Sequence, residues 1–282
     1  MYDCNSGKVD NVSGLTGGAG SISGGRESYI SSCSWDPGGT QLVVAEGGFG
    51  LSSVSIYDVA SSSRPVVAQL GGHIDRVNCI AWHPTDTHCL TAAGRDGVIL
   101  MHDVRCPRTP CRRLAGHTSE VCGLAYNSMG VLASGSNDNA CVIWDQSHTT
   151  QPRFTLRHQA AVKALAWCPI QSNILATGAG SADGNIRVVN SSSGEVVSQR
   201  HVGAQVCSLL WSKRDAELLS GHGFSCAGGS GNHSSMNEMV LWRGSDLACI
   251  AELKGHSSRV LNMAQSPEGN RVVSQGADET LR

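Results

Sequence analysis

Residues Gly116 to Asp145 read GHTSEVCGLAYNSMGVLASGSNDNACVIWD. A Gly-His pair precedes a short apolar segment, a second apolar segment ends in an Asp-bearing turn, and a third closes on Trp144-Asp145. The spacing of His117, Ser134, Asp138 and Trp144 lets a loop histidine bond the turn carboxylate and reach back to the serine and indole. A carboxylate withdrawn from water is costly without partners, so these four residue types form an internal staple of one small antiparallel unit.

The unit recurs. Val77, Val121, Val162, Val206 and Val260 each open an apolar strand, at intervals of 44, 41, 44 and 54 residues. The aromatic that closes each strand, or its substitute, follows as Trp82, Tyr126, Trp167, Trp211 and Gln265, with Trp35 upstream. Third-strand endings keep step as Tyr57-Asp58, His102-Asp103, Trp144-Asp145, Val189-Asn190 and Trp242-Arg243. A period of about 40 to 45 residues is that of propeller blades. Runs such as VNCIAW, VCGLAY and VKALAW are nearly continuous apolar strands, as required where neighbouring blades cover both faces. Turn signals separate them: Asp36-Pro37-Gly38-Gly39, Arg95-Asp96-Gly97, Asp183-Gly184-Asn185 and Pro267-Glu268-Gly269-Asn270. The expected fold is all-β, a seven-bladed WD-repeat β-propeller truncated in its first and last blades. As one domain over residues 1–282, it has a partial first blade at 1–15, five blades over about 29–254 and a partial last blade at 255–282. An open propeller leaves strand edges unpaired, so the chain is expected to be marginal by itself.

His73 with Asp96, His158 with Asp183 and His256 with Asp278 repeat the His117–Asp138 arrangement. The copy around Trp211 has Gly203 where the histidine belongs and no clear turn aspartate; it is expected to rely on packing, as is the copy around Trp35. Glycine- and serine-rich stretches at Leu15–Ser28, Gly47–Ser53 and Cys226–Asn237 are expected as long exposed loops, the last accounting for the longest interval.

Composition agrees with many short strands and tight turns: 34 glycines and only 16% charged residues. The net charge of −2 gives no global basic field for nucleic acid or an anionic membrane. The N-terminus lacks the basic and apolar regions of a secretory signal, and no apolar run approaches the roughly 20 residues of a membrane span. Twelve cysteines without any Cys-x-x-Cys read as small hydrophobes in strand segments, at Cys79, Cys122, Cys141, Cys168 and Cys207. No metal and no cofactor is expected, and the implied compartment is reducing, cytoplasmic and nuclear.

Several strings go beyond a generic repeat. Val121-Cys122-Gly123-Leu124, Gly135-Ser136-Asn137-Asp138-Asn139, Ala160-Ala161-Val162-Lys163-Ala164, Gly221-His222-Gly223-Phe224, Gly255-His256-Ser257-Ser258-Arg259-Val260-Leu261 and Ala277-Asp278-Glu279-Thr280-Leu281-Arg282 closely resemble the propeller of the Fizzy family. Trp167-Cys168-Pro169 and Leu175-Ala176-Thr177-Gly178 lean toward the Fizzy branch over Fizzy-related. The resemblance covers essentially the whole chain. It implies an activator of the anaphase-promoting complex that recruits degron-bearing substrates to the ligase, with spindle-checkpoint proteins as further partners. Carried over by motif, a Lys-Glu-Asn degron would meet Asn137, Ser181, Gln205 and Arg259, and a destruction-box arginine would meet Glu279. Ser181 stands where the family usually has threonine, which keeps the hydroxyl. The family's basic docking segment, Ile-Arg tail and start of the first blade are not seen, which leaves the destruction-box groove and ligase activation less supported than the Lys-Glu-Asn site. Repeat geometry agrees: Glu120, Gln205 and Arg259 immediately precede inner-strand valines, and Asn137 and Ser181 lie just before turn aspartates, so all fall on one rim. An arginine suits a peptide carboxylate, while Asn and Gln suit its amides.

His117, Ser134 and Asp138 look like a catalytic triad, and His222 or His233 like metal ligands. A His-Asp pair recurring with the strand period in four units argues for structure over catalysis, so the chain is read as a non-enzymatic adaptor. A WD-repeat scaffold outside ubiquitination, or a partial nonfunctional copy, are the alternatives that composition and repeat leave open.

Overall fold

The computed structural model describes residues 29–48, 51–61, 66–145, 151–225 and 236–282. The expected partial first blade, residues 1–15, and the expected loop at Leu15–Ser28 lie largely or wholly outside them.

Five four-stranded antiparallel sheets follow one another along the chain. The first is β1 (Tyr29–Trp35), β2 (Gln41–Gly48), β3 (Leu51–Asp58) and β4 (Val66–Leu70). The second is β5 (Val77–Trp82), β6 (Cys89–Gly94), β7 (Val98–Asp103) and β8 (Arg112–Ala115). The third is β9 (Val121–Tyr126), β10 (Leu132–Ser136), β11 (Ala140–Trp144) and β12 (Pro152–Arg157). The fourth is β13 (Val162–Trp167), β14 (Ile174–Ala179), β15 (Asn185–Asn190) and β16 (Val196–His201). The fifth is β17 (Ala204–Trp211), β18 (Glu217–Ser225), β19 (Met239–Arg243) and β20 (Cys249–Leu253). A two-stranded sheet, β21 (Val260–Gln265) and β22 (Val272–Gly276), ends the described chain, with Leu281 bridged to Gln275.

Within each complete sheet strands pair in sequence order, and the first strands β1, β5, β9, β13, β17 and β21 pack in succession. The cause is in the side chains. Val77, Val121, Val162, Val206 and Val260 are buried between neighbouring sheets, as are central-strand residues such as Leu90, Ile99, Ile143, Leu175 and Leu218. The outer strands alternate instead: β12, PRFTLR, buries every second residue partly and exposes the rest. Arginines at 112, 153, 157 and 200 charge these outer strands, which discourages a further strand from pairing there.

The Gly47–Ser53 stretch is not a long loop. Gly47 pairs with Ser52 and Gly48 with Leu51, so only residues 49 and 50 lie between β2 and β3. The buried run Leu42–Ala45 packs β2 into the core, and the ladder with β3 continues from it to Gly48. Of the stretch Cys226–Asn237, residues 226–235 lie outside the described part. The described cysteines are free thiols; Cys79, Cys141, Cys168 and Cys207 are buried, whereas Cys122 is only half-buried.

One regularity was not read from the sequence. Every first strand carries a register shift at its opening: between Ile30 and Ser32, Val77 and Cys79, Val162 and Ala164, Val206 and Ser208, and Val260 and Asn262, with β9 doing the same around Cys122. Such a bulge frees one residue from the ladder and increases local twist. Ser31, Asn78, Cys122, Lys163, Cys207 and Leu261 therefore form an equivalent set beside the buried valines. Two of them knit neighbouring sheets: the Ser31 hydroxyl donates to the Val77 carbonyl, and the Asn78 amide to the Val121 carbonyl at 3.3 Å.

Candidate functional site

The staple forms in the third sheet. Trp144 Nε1–H donates to Ser134 Oγ at 2.8 Å, Ser134 Oγ meets His117 Nε2 at 2.7 Å, and His117 Nδ1 meets Asp138 at 3.0 Å. Indole only donates and carboxylate only accepts, so the serine hydroxyl donates to Nε2 and Nδ1–H donates to Asp138. The indole thus reaches the histidine through Ser134. Burial pushes the His117 ring below its ordinary value, partly offset by Asp138. Burial raises Asp138, but the Thr118 amide, the His117 ring and the Ala140 amide outweigh it and hold the carboxyl low. The group is a neutral ring against a carboxylate, fully engaged in holding strands together.

His158 with Asp183 and Thr177, and His256 with Asp278 and Ser274, repeat the arrangement, the latter at 3.0 and 2.8 Å. The sheet around Trp211, expected to rely more on packing, also carries a polar staple. There His222, two residues beyond Ser220 on the same strand, meets Ser220 Oγ at 2.7 Å, and Trp242 donates to that oxygen at 2.7 Å. His222 is fully buried and belongs to this staple. The signal was Ser-x-His on one strand, with a tryptophan one strand away.

The same staples set the rim. In the four units with a His-Asp pair the turn after the second strand folds back on the residue before the buried valine: Arg95 N to Arg76 O, Asn137 N to Glu120 O, Gly180 N to Ala161 O and Ala277 N to Arg259 O, all 2.8 to 2.9 Å. Asn137, Ser181, Arg259 and Glu279 lie in or beside these closures, and Gln205 immediately precedes Val206. All five predicted residues therefore occupy one end of the first strands.

On one arc of this rim, Glu120 accepts from Arg76, from Asn78 at 2.6 Å and from Asn137 at 3.2 Å. Cys122 Sγ lies 3.2 Å from Asn137 Oδ1, so the exposed Asn137 amide is oriented from both ends. On another arc Gln205 and Arg259 close on Gly223: a Cβ there would lie 2.9 Å from Gln205 Oε1 and 3.1 Å from Arg259 Cγ. Burial pushes the Cys122 thiol up to about 11 and raises Cys207 too, so both remain protonated and weakly nucleophilic at neutral pH. Ser181 is half-buried in the β14–β15 turn, and among the described residues no hydrogen bond joins it to the other four. Glu279 is exposed with φ +61°, the left-handed conformation that Asn139 adopts in the equivalent turn. A rim of oriented amides and guanidinium groups can hold an extended polar peptide. The links from Arg76 and Asn78 to Glu120, and the bulge that presents Asn78, were not anticipated; a polar residue second in an otherwise apolar hexad was their trace.

Stapled four-stranded blades arranged around first strands that share one rim define a WD-repeat β-propeller. A family model described as the CDC20/Fizzy WD40 domain matches residues 2–282, and the chain belongs to that family. It is 45% identical over 260 residues to "Cell division cycle 20.1, cofactor of APC complex" of Arabidopsis thaliana, covering 90% of this chain and 53% of that protein. It is 41% identical to "WD repeat-containing protein srw1" of Schizosaccharomyces pombe, with 90% and 42% covered. A chain in a crystal structure of the mitotic checkpoint complex superposes with a TM-score of 0.79 at 40% identity, covering 90% of this chain and 74% of that one. The chain spans about half the length of the curated relatives it matches.

Proposed function

We propose that the chain is the substrate-recruiting propeller of an activator of the anaphase-promoting complex. It captures degron peptides and performs no chemistry of its own. Asn137, Ser181, Gln205 and Arg259 grip a Lys-Glu-Asn motif, and Glu279 receives the arginine of a destruction box. Its partners are then subunits of that ligase, degron-bearing cell-cycle proteins and spindle-checkpoint proteins. The observation that carries this reading is the shared rim, with Gln205 and Arg259 drawn together over Gly223 and Asn137 already oriented by Glu120. Relatives named as cofactors of the complex, and a structural neighbour in a checkpoint assembly, support it.

A charged hydrogen-bonding anchor contributes about 1.5 to 3 kcal/mol, so Arg259→Ala should weaken binding of a Lys-Glu-Asn peptide by about 10- to 100-fold. Fluorescence anisotropy with a labelled peptide measures this. Equal affinity in the parent, Arg259→Ala and Gln205→Ala would remove the proposed site.

A further inference from the structure

A single exposed aromatic needs no explanation, but Phe224 has a specific neighbour. Its ring is 59% exposed, and the Arg259 guanidinium lies over its face at 4.6 Å from the centroid. The sequence brings them together by extending one strand. β18 pairs His222 with Val206, where its equivalents end, and continues through Gly223 and Phe224 to pair Ser225 with Ala204. This extension lays Gly223 against Gln205, Cys207 and Arg259. A Cβ at Gly223 would come within 2.8 to 3.1 Å of all three, so any larger residue would have to push these side chains from their present places.

We propose that Gly223-Phe224 is a positioning device for carboxylate recognition at the rim: Phe224 fixes the plane of Arg259, and Gly223 admits Gln205 beside it. This rests on the peptide-binding reading above. Arginine loses substantial side-chain freedom when it binds, and a guanidinium already stacked on an aromatic face has given up part of it beforehand. Stacking uses the face of the guanidinium and leaves its in-plane N–H donors for the bidentate geometry a carboxylate accepts. The device therefore acts on the acidic residue of a bound peptide and leaves its neighbours indifferent.

The test uses the 282-residue chain and two peptides, one carrying Lys-Glu-Asn and one carrying Lys-Gln-Asn. Phe224→Leu should weaken the Lys-Glu-Asn peptide about 3- to 10-fold and leave the Lys-Gln-Asn peptide within about twofold. Phe224→Tyr keeps the ring and should restore parental affinity. Gly223→Ala should weaken the Lys-Glu-Asn peptide at least as much as Phe224→Leu does. Because Phe224 is exposed, Phe224→Leu should melt with the parent. If it binds the Lys-Glu-Asn peptide as the parent does while Arg259→Ala loses it, the device is refuted and the peptide site stands. If Arg259→Ala also binds normally, the site itself is wrong. Equal weakening of both peptides by Phe224→Leu, or no recovery in Phe224→Tyr, would mark Phe224 as structural and also overturn the proposal.

Discussion

The second and third sheets are the same object in backbone terms and different objects in polar terms. β5–β8 and β9–β12 share strand order, opening bulge and His-Asp pair. In β9–β12 a continuous run of hydrogen bonds passes from Trp144 through Ser134 and His117 to Asp138. In β5–β8 the serine is Ala92 and the tryptophan is His102. His73 then faces the Asp96 carboxylate on one side and the Ala92 carbonyl, 3.2 Å away, on the other. Both are acceptors and neither is a hydroxyl, so no run of hydrogen bonds continues from His73 to the third strand. His102 is fully buried, and neither of its ring nitrogens has a hydrogen-bond partner among the described residues. Apolar first and central strands therefore suffice to form a blade, while the staple adds stability on top of a topology already determined.

The largest consequence should come from cutting each staple at its carboxylate. Asp138→Ala strands a buried histidine and the serine and indole behind it, and should cost about 3 kcal/mol. Asp96→Ala removes a shorter run and should cost about half that. Urea unfolding of the two variants gives the ratio directly. Equal losses would mean that Ser134 and Trp144 add nothing to the staple.

Acid should divide the sheets next. Burial, with a smaller contribution from the charge of His73, lowers His102 to about 4 from an ordinary 6.5; burial alone lowers His222 to about 4. The unfolded chain then binds protons before the folded one does. The stability these groups contribute is complete above about pH 6.5 and is lost as pH falls toward 4, by about 2 kcal/mol each at pH 5. His117 and His158 are also lowered and push in the same direction over this range, while the lowered Asp138 and Asp183 do so only at more acid pH, below about 4. Melting temperatures should fall between pH 7 and pH 5, and less steeply in His102→Phe. A parental slope in that variant would show that His102 is not a source of the acid sensitivity. The smallest effect is a gain: Ala92→Ser with His102→Trp rebuilds the missing run and should stabilise β5–β8 by about 1 kcal/mol at pH 7, read as a higher urea midpoint.

What was legible in the sequence follows the same division. Blade period, first strands and turns could be read because apolar hexads and Asp-Gly pairs act locally. The His117–Asp138 staple could be read because its four residue types are rare together. His222 escaped because it reaches Ser220 along one strand, whereas in the other stapled units the histidine lies on the loop before the first strand. Gly47–Ser53 misled because glycine signals a loop by composition, while the buried strand residues before it carried the pairing of β2 and β3 onward. The rim residues Asn137, Gln205 and Arg259 were reached through family strings and repeat position. Their contacts with Glu120, Gly223 and Phe224 were not, because neither a family string nor a repeat position says which side chain a rim residue meets.

In the proposed function a single end of the first strands holds the degron. A Lys-Glu-Asn peptide bearing a photoreactive group beside its glutamate, cross-linked to the chain and mapped by mass spectrometry, tests it most directly. Adducts should fall on the rim around Asn137, Gln205 and Gly223–Phe224. Adducts concentrated instead around Met129, exposed on the β9–β10 turn at the other end of the third sheet, would contradict the account.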